Sequence, residues 1–147
     1  MIWKPNTTVA AVIEQQGKFL LVEEETADGV RLNQPAGHLE DGESLLDAVA
    51  RETFEETAYR FVPQQLLGIY HWRRPDKAVT YLRFAFTGTA TGPDVDSELD
   101  DGIIRAVWMT ADEIRNCPAR HRSPQVLTCI EHYLMGQRFP LSAITHL

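Results

Sequence analysis

Pro35-Ala36-Gly37-His38-Leu39-Glu40-Asp41-Gly42-Glu43 runs directly into residues 44–58, which carry Arg51-Glu52-Thr53-Phe54-Glu55-Glu56. A loop of small residues thus leads into a segment with a dense acidic end. Residues 45–57 contain no Gly or Pro, so a helix is predicted there. Ser44 is its expected cap, with Asp47 three residues on in the capping-box position. At about 100° per residue, Glu56 falls about 40° to one side of Glu52 and Glu55 about 60° to the other. Three carboxylates therefore share one face. Ala48, a turn earlier on that face, is expected to leave room above it. Leu45, Leu46, Val49 and Thr53 form an adjoining stripe suited to packing on a sheet.

One reading of this face is ordinary solvated charge. Three features favour a metal site. The acids sit at the C-terminal end of the helix, where the macrodipole disfavours them, and Glu52 and Glu56 repel at i,i+4 unless something positive lies between them. Gly37 is flexible and placed so that its carbonyl can approach the acids. Arg51 and Glu43 can form an ion pair tying loop to helix. Oxygen-only ligands suit a hard cation, Mg²⁺ or Mn²⁺, that keeps several waters and takes phosphate oxygens.

Gly37, Glu43, Arg51-Glu52 and Glu55-Glu56 stand at the spacings of the Nudix box, and the chain resembles the Nudix hydrolases, which cleave phosphoanhydrides such as nucleoside diphosphates linked to other groups. The resemblance implies an α/β (α+β) fold, an α/β/α sandwich with a central mixed sheet. It also implies roles for Glu52, Glu55, Glu56, Arg51 and Glu43, with metal held by Gly37, Glu52, Glu55 and Glu56. Three positions depart from the box. Thr53 replaces a bulky aliphatic, Ala58 a glycine and Tyr59 an aliphatic. If Ala58 adopts a left-handed conformation at the helix exit, that costs about 1–2 kcal/mol; otherwise the helix leaves by another turn. Asn33-Gln34-Pro35-Ala36-Gly37-His38-Leu39-Glu40, Pro75-Asp76-Lys77 and Gly136-Gln137-Arg138-Phe139-Pro140-Leu141 are similar to one branch, the NudJ-like phosphatases. That branch implies terminal phosphate release from thiamine pyrophosphate, hydroxymethylpyrimidine pyrophosphate or nucleoside di- and triphosphates. Leu32 stands where the branch carries Trp, so a stacking surface beside the loop is expected to be missing.

The chain has 147 residues, enough for one domain with one core, residues 1–147. Its net charge of −7 argues against nucleic acid or an anionic membrane as a partner held by bulk electrostatics. An acidic protein that handles phosphates needs a cation at its site. No stretch approaches a membrane span and the start carries no long apolar run. Cys117 and Cys129 lack metal-ligand spacing and read as reduced thiols in the cytoplasm. Nothing demands a dimer, and a monomer is expected.

Residues 7–14 and 19–25 are predicted to pair as a hairpin around Gln15-Gln16-Gly17-Lys18, followed by a short extended piece, 31–34, ending at Pro35. Strands are predicted at 65–73, 79–89 and 103–109. In the second, Leu82, Phe84 and Phe86 face one way and Tyr81, Arg83 and Ala85 the other. Asp94 to Asp101 is read as an acidic loop. Thr110 caps a short helix with Glu113 three residues on, and residues 123–135 form the last helix, with Pro124 in its first turn and Gly136 at its end.

The chemistry expected is attack by a metal-activated water on phosphorus. The general base is a helix carboxylate or Glu98 of the acidic loop. Trp72 is a candidate for stacking on a heteroaromatic ring, and Arg31, Arg73 and Arg83 are candidate phosphate clamps. For each, packing or ordinary surface charge is the alternative. His38 is read as loop packing, because hard cations prefer oxygen. Two other activities stay open: ADP-ribose or nucleoside triphosphate pyrophosphatase, and a ligand sensor that does not hydrolyse. A sensor is expected to lose a motif acid, and none is lost here.

Overall fold

The computed structural model describes residues 2–147. The strands are β1 (Asn6–Val12), β2 (Glu14–Gln15), β3 (Lys18–Thr26), β4 (Gly29–Asn33), β5 (Ala36–His38), β6 (Arg60–Arg74), β7 (Val79–Thr91), β8 (Ile103–Thr110) and β9 (Phe139–Pro140). The helices are α1 (Leu45–Thr57), α2 (Ala111–Arg115) and α3 (Gln125–Leu134). One sheet has the order β5-β1-β7-β6-β9 and is mixed, because β1 runs parallel to β7 and the other pairs are antiparallel. The other is antiparallel: β3 pairs with β2, β4 and β8.

Two cores lie on opposite faces. Val9, Ala11, Leu20 and Phe86 pack with Ala48 and Val49 of α1. Ala10, Val12, Phe19, Leu21, Leu32 and Ala85 pack with Ile114 of α2 and Cys129 and Ile130 of α3. The arrangement is helix, sheet, helix, as the resemblance implied. Because β1 is covered on both faces, its run Val9–Val12 is continuously apolar rather than alternating. The β7 alternation places Phe84 and Phe86 on the α1 side and Ala85 on the α3 side, as predicted.

Three expectations are corrected. Residues 7–14 and 19–25 do not pair along their length: the chain leaves the first sheet after Val12, and only Glu14–Gln15 pairs back with Lys18–Phe19. The β6 strand begins at Arg60, directly after α1, and keeps pairing with β7 through two irregularities, at Pro63/Gln65 and Leu66/Gly68. Leu32, fully buried in the α3-side core, offers no stacking surface to the loop, as expected. Ala48 is also fully buried, so the space above it is filled by the core.

The three departures from the box are accommodated by local bonds. Buried Thr53 donates its hydroxyl to Val49 O at 2.8 Å, which satisfies it within the helix. Tyr59 packs edge-on against Trp108 and its hydroxyl accepts the indole N–H at 3.1 Å. Ala58 does take the left-handed conformation, φ 62° and ψ 13°, and its N–H donates to Phe54 O at 2.8 Å. At the other end, Ser44 Oγ accepts from Asp47 N at 3.1 Å, as predicted. Thr110 and Glu113 form the complete reciprocal box at the start of α2.

The strain at Ala58 is testable. Relieving about 1–2 kcal/mol of left-handed penalty outweighs the loss of one buried methyl, worth about 0.8 kcal/mol. Ala58→Gly is therefore expected to stabilise the protein by about 0.5 kcal/mol, read as a higher urea midpoint at unchanged slope. A lower midpoint would contradict the strain assignment.

Candidate active site

The inner face of α1 meets the β5 loop, and the two are joined by one guanidinium. Arg51 forks onto Glu43, with Nε donating to Oε2 at 3.0 Å and Nη2 to Oε1 at 2.6 Å. Its Nη2 also donates to His38 O at 3.1 Å, and its Nη1 to Glu52 Oε1 at 2.9 Å and Glu55 Oε1 at 3.1 Å. Such a planar fork suits several carboxylates at once. The hydrogen bond from Arg51 holds the Glu43 carboxyl below its usual range, and the Glu43 bond in turn raises Arg51.

The acids divide by environment. Glu56 is 9% exposed, and its Oε1 accepts from Ala36 N at 3.0 Å. Burial pushes its carboxyl up to about 8, against the opposing pull of the Ala36 N–H, with the charges of Glu24, Glu52 and Asp100 adding to the rise. Burial also raises Glu52, against the pull of Arg51. Gly37 is required by contact: a Cβ built there would lie 2.1 Å from Glu52 Cδ. Glycine thus lets the β5 backbone rest on the Glu52 carboxylate.

Of the predicted site residues, the structure brings Gly37, Glu43, Arg51, Glu52, Glu55 and Glu56 together at this junction. It adds one that the sequence reading treated as solvated charge. Carboxylate oxygens of Glu52, Glu55 and Asp100 lie within 4.8 Å of one another. Asp100 is carried there because its backbone N–H donates to Glu55 O at 2.9 Å. Burial raises its carboxyl, as does the charge of Glu55. Glu98, two residues earlier, is exposed and stands outside this group. The donor set is all oxygen and in excess of its local positive charge, and glycine keeps the backbone against it. These properties fit a hard divalent cation.

Above the junction opens a cleft of about 360 Å³, lined by Gly37, Glu52 and Glu56 at one part and by Trp72, Tyr81, Arg74, Arg83, Arg122 and Gln125 elsewhere. Trp72 and Tyr81 stack with centroids 5.8 Å apart and planes at 18°. Arg74 is held by Asp28 at 3.0 Å and Asp76 at 2.8 Å. Arg122 is held by Glu24 at 3.0 Å. Arg83 is 4% exposed and bonds only neutral groups: Gln34 Oε1 at 2.9 Å, Asn33 Oδ1 at 3.0 Å and Cys129 Sγ at 3.8 Å.

Two other candidate clamps lie elsewhere. Strand alternation puts Trp72 and Arg74 on the cleft side of β6, so Arg73 faces away and is exposed. Arg31 donates to Val30 O and does not line the cleft. Arg74, Arg122, Gln125 and Glu24 were not singled out as cleft residues from the sequence. The Tyr70-Trp72-Arg74 alternation was the signal available for Arg74. The others come from distant segments and had none.

The NUDIX domain family model matches residues 3–128. The chain is 42% identical over 144 residues to "Phosphatase NudJ" of Escherichia coli (strain K12), covering 97% of this chain and 92% of that protein. Among solved structures, a NUDIX hydrolase from Nitrosomonas europaea is 52% identical, with a TM-score of 0.95 over 98% of each chain. A MutT protein from Methanosarcina mazei Go1, at 24% identity and a TM-score of 0.72 over 92% of this chain and 98% of its own, shares the fold. Among the described residues no helix is long and apolar enough to cross a membrane.

Two measurements test this geometry. Gly37→Ala is expected to displace the Glu52 carboxylate and weaken Mn²⁺ binding about tenfold or more, read by electron paramagnetic resonance, with the circular dichroism unchanged. Unaltered affinity would contradict the contact. The second is pH dependence in chelator. Glu56 binds its proton more tightly folded, at about 8, than unfolded, at 4.5. Its contribution to stability is therefore complete below pH 4.5 and is lost as pH rises through 8. Relative to Glu56→Gln, wild type should lose unfolding free energy across that window; parallel profiles would count against the burial shift.

Proposed function

The chain belongs to the Nudix family and is a hydrolase of phosphoanhydrides, and on that premise we propose that it releases the terminal phosphate of small diphosphates with the help of Mg²⁺ or Mn²⁺. Thiamine pyrophosphate, hydroxymethylpyrimidine pyrophosphate and nucleoside di- and triphosphates are the proposed substrate class, acted on by a single domain of residues 1–147. The observation that carries the metal reading is the crowded carboxylate group: Glu52, Glu55 and Asp100 with oxygens within 4.8 Å of one another, beside the buried Glu56, whose carboxyl burial pushes up to about 8. Such a group is relieved by a bound cation. The phosphatase name of the E. coli relative supports the substrate class.

Glu52, Glu55 and Glu56, with the Gly37 carbonyl, are the residues that would hold the ion. A divalent ion bound there supplies neutralisation of phosphate charge and acidification of a water. Arg51 and Glu43 brace the loop against the helix so that the ligands keep their spacing. Glu55, whose side chain is 35% exposed and lies beside Asp100, is placed to take the proton of the attacking water. As the water oxygen bonds to phosphorus, the anhydride P–O bond breaks and the leaving oxygen carries away the electron pair. Glu98, by its exposure, is the weaker choice of base. The stacked Trp72 and Tyr81 are proposed to hold a planar ring at the cleft mouth. The free thiols of Cys117 and Cys129 support a reducing, cytoplasmic setting.

The test is a substrate panel with product identification. Inorganic phosphate is expected from thiamine pyrophosphate and nucleotides with Mg²⁺, and none with chelator. Pyrophosphate from triphosphates, or two monophosphates from ADP-ribose, would move the enzyme to another specificity. Glu56→Gln is expected to lower kcat by about 10³-fold while the protein stays folded. A fully active Glu56→Gln would remove the mechanism.

A further inference from the structure

Among the described residues two buried side-chain atoms have no hydrogen-bond partner in the protein, Arg83 Nε and Gln125 Oε1. Both residues line the same cleft. The other guanidiniums there, Arg74 and Arg122, are each bonded to carboxylates. Arg83 has Gln34, Asn33 and Cys129, all neutral. A guanidinium has five N–H donors, so Nε–H and one N–H of Nη2 stay uncommitted. These nitrogens are bonded to one carbon and present a fork suited to two oxygens of one anion.

The start of α3 closes the same place. Ser123 and Gln125 line the cleft, and no acidic side chain lies in the first turn of the ten-residue helix, whose Gln125 N–H donates to Ser123 Oγ at 3.2 Å and Val126 N–H to Ser123 O at 3.2 Å. Cys129, which Arg83 touches, lies one turn after Gln125 on the same face of that helix. The helix dipole there favours negative charge.

We propose that Arg83, Gln125 and the first turn of α3 form a phosphoryl-binding subsite that works without metal. The inference rests on reading the cleft as the substrate site. Arg83 donates to two phosphoryl oxygens, and Gln125 Oε1 accepts from the P–OH of a protonated phosphate. Only a terminal phosphoryl group carries that proton, so the subsite selects diphosphates with a free terminal phosphate over diesters. It also retains the released inorganic phosphate.

The probe is inorganic phosphate added to intact protein in chelator, followed by calorimetry and by ¹H–¹⁵N spectra, with sulfate as the unprotonated control. Saturable phosphate binding is expected, shifting signals of Arg83 and of residues 123–126 while those of Gly37 and Glu52 stay in place. Sulfate should bind about tenfold more weakly, and Gln125→Leu should erase that preference. Arg83→Gln should weaken phosphate about tenfold or more; if that variant does not fold, Arg83→Lys, which keeps the charge and loses the fork, should show the same direction. The proposal is overturned by absence of saturable binding in chelator, by shifts confined to the carboxylate end, or by a folded Arg83 variant with unchanged affinity. Glu56→Gln should leave this binding intact. A wild-type protein that binds phosphate in this way and hydrolyses no diphosphate would keep the subsite and lose the hydrolase mechanism.

Discussion

Arg51 is the constraint on which the site depends. A single guanidinium holds the loop through Glu43 and the His38 carbonyl, and the helix face through Glu52 and Glu55. Without it, three acids within one helical turn would spread apart under mutual repulsion. Its positive charge is also insufficient for them all. Glu56 receives no bond from Arg51 and instead rests on the Ala36 amide in a buried position. The structure therefore fixes the geometry of the acids while leaving their charge incompletely balanced. That combination suits a site meant to receive a cation rather than to be stable without one.

Sheet register sets the positions of the remaining cleft groups. Thr8 of β1 lies opposite both His38 of β5 and Arg83 of β7, and Arg83 lies opposite Tyr70 of β6. One row of side chains thus crosses the floor from His38 of β5 to the buried guanidinium. The next row along carries Tyr81 opposite Trp72. A chain of net charge −7 can in this way present one guanidinium that is not paired with a carboxylate to an anion, because sheet pairing carries Arg83 into the cleft while Arg74 and Arg122 are bonded to acids.

Much of this was legible in the sequence because it is local. The cap at Ser44, the acidic face of α1, the loop glycine and the Thr110 box all depend on residues a few positions apart. So did the burial pattern of β7. What was not legible depended on distance. Asp100 reads as one more acid in a solvated loop until its backbone bonds to Glu55. Leu32 reads as a missing stacking surface, but not as a core residue until the pairing of β4 with β3 turns it inward. The predicted hairpin at residues 7–25 failed for a related reason. An apolar strand pairs equally well with several partners, and here β7 and β5 outcompete β3.

The parallel pairing of β1 with β7 also bears on how the chain reaches its native state. The partner of Thr8 is Arg83, about half the chain away. During synthesis the apolar β1 segment leaves the ribosome long before the strand that completes its sheet. The central sheet is therefore a high-contact-order structure whose closure follows loop formation over most of the molecule, and its folding is expected to be slow relative to a helical protein of this length.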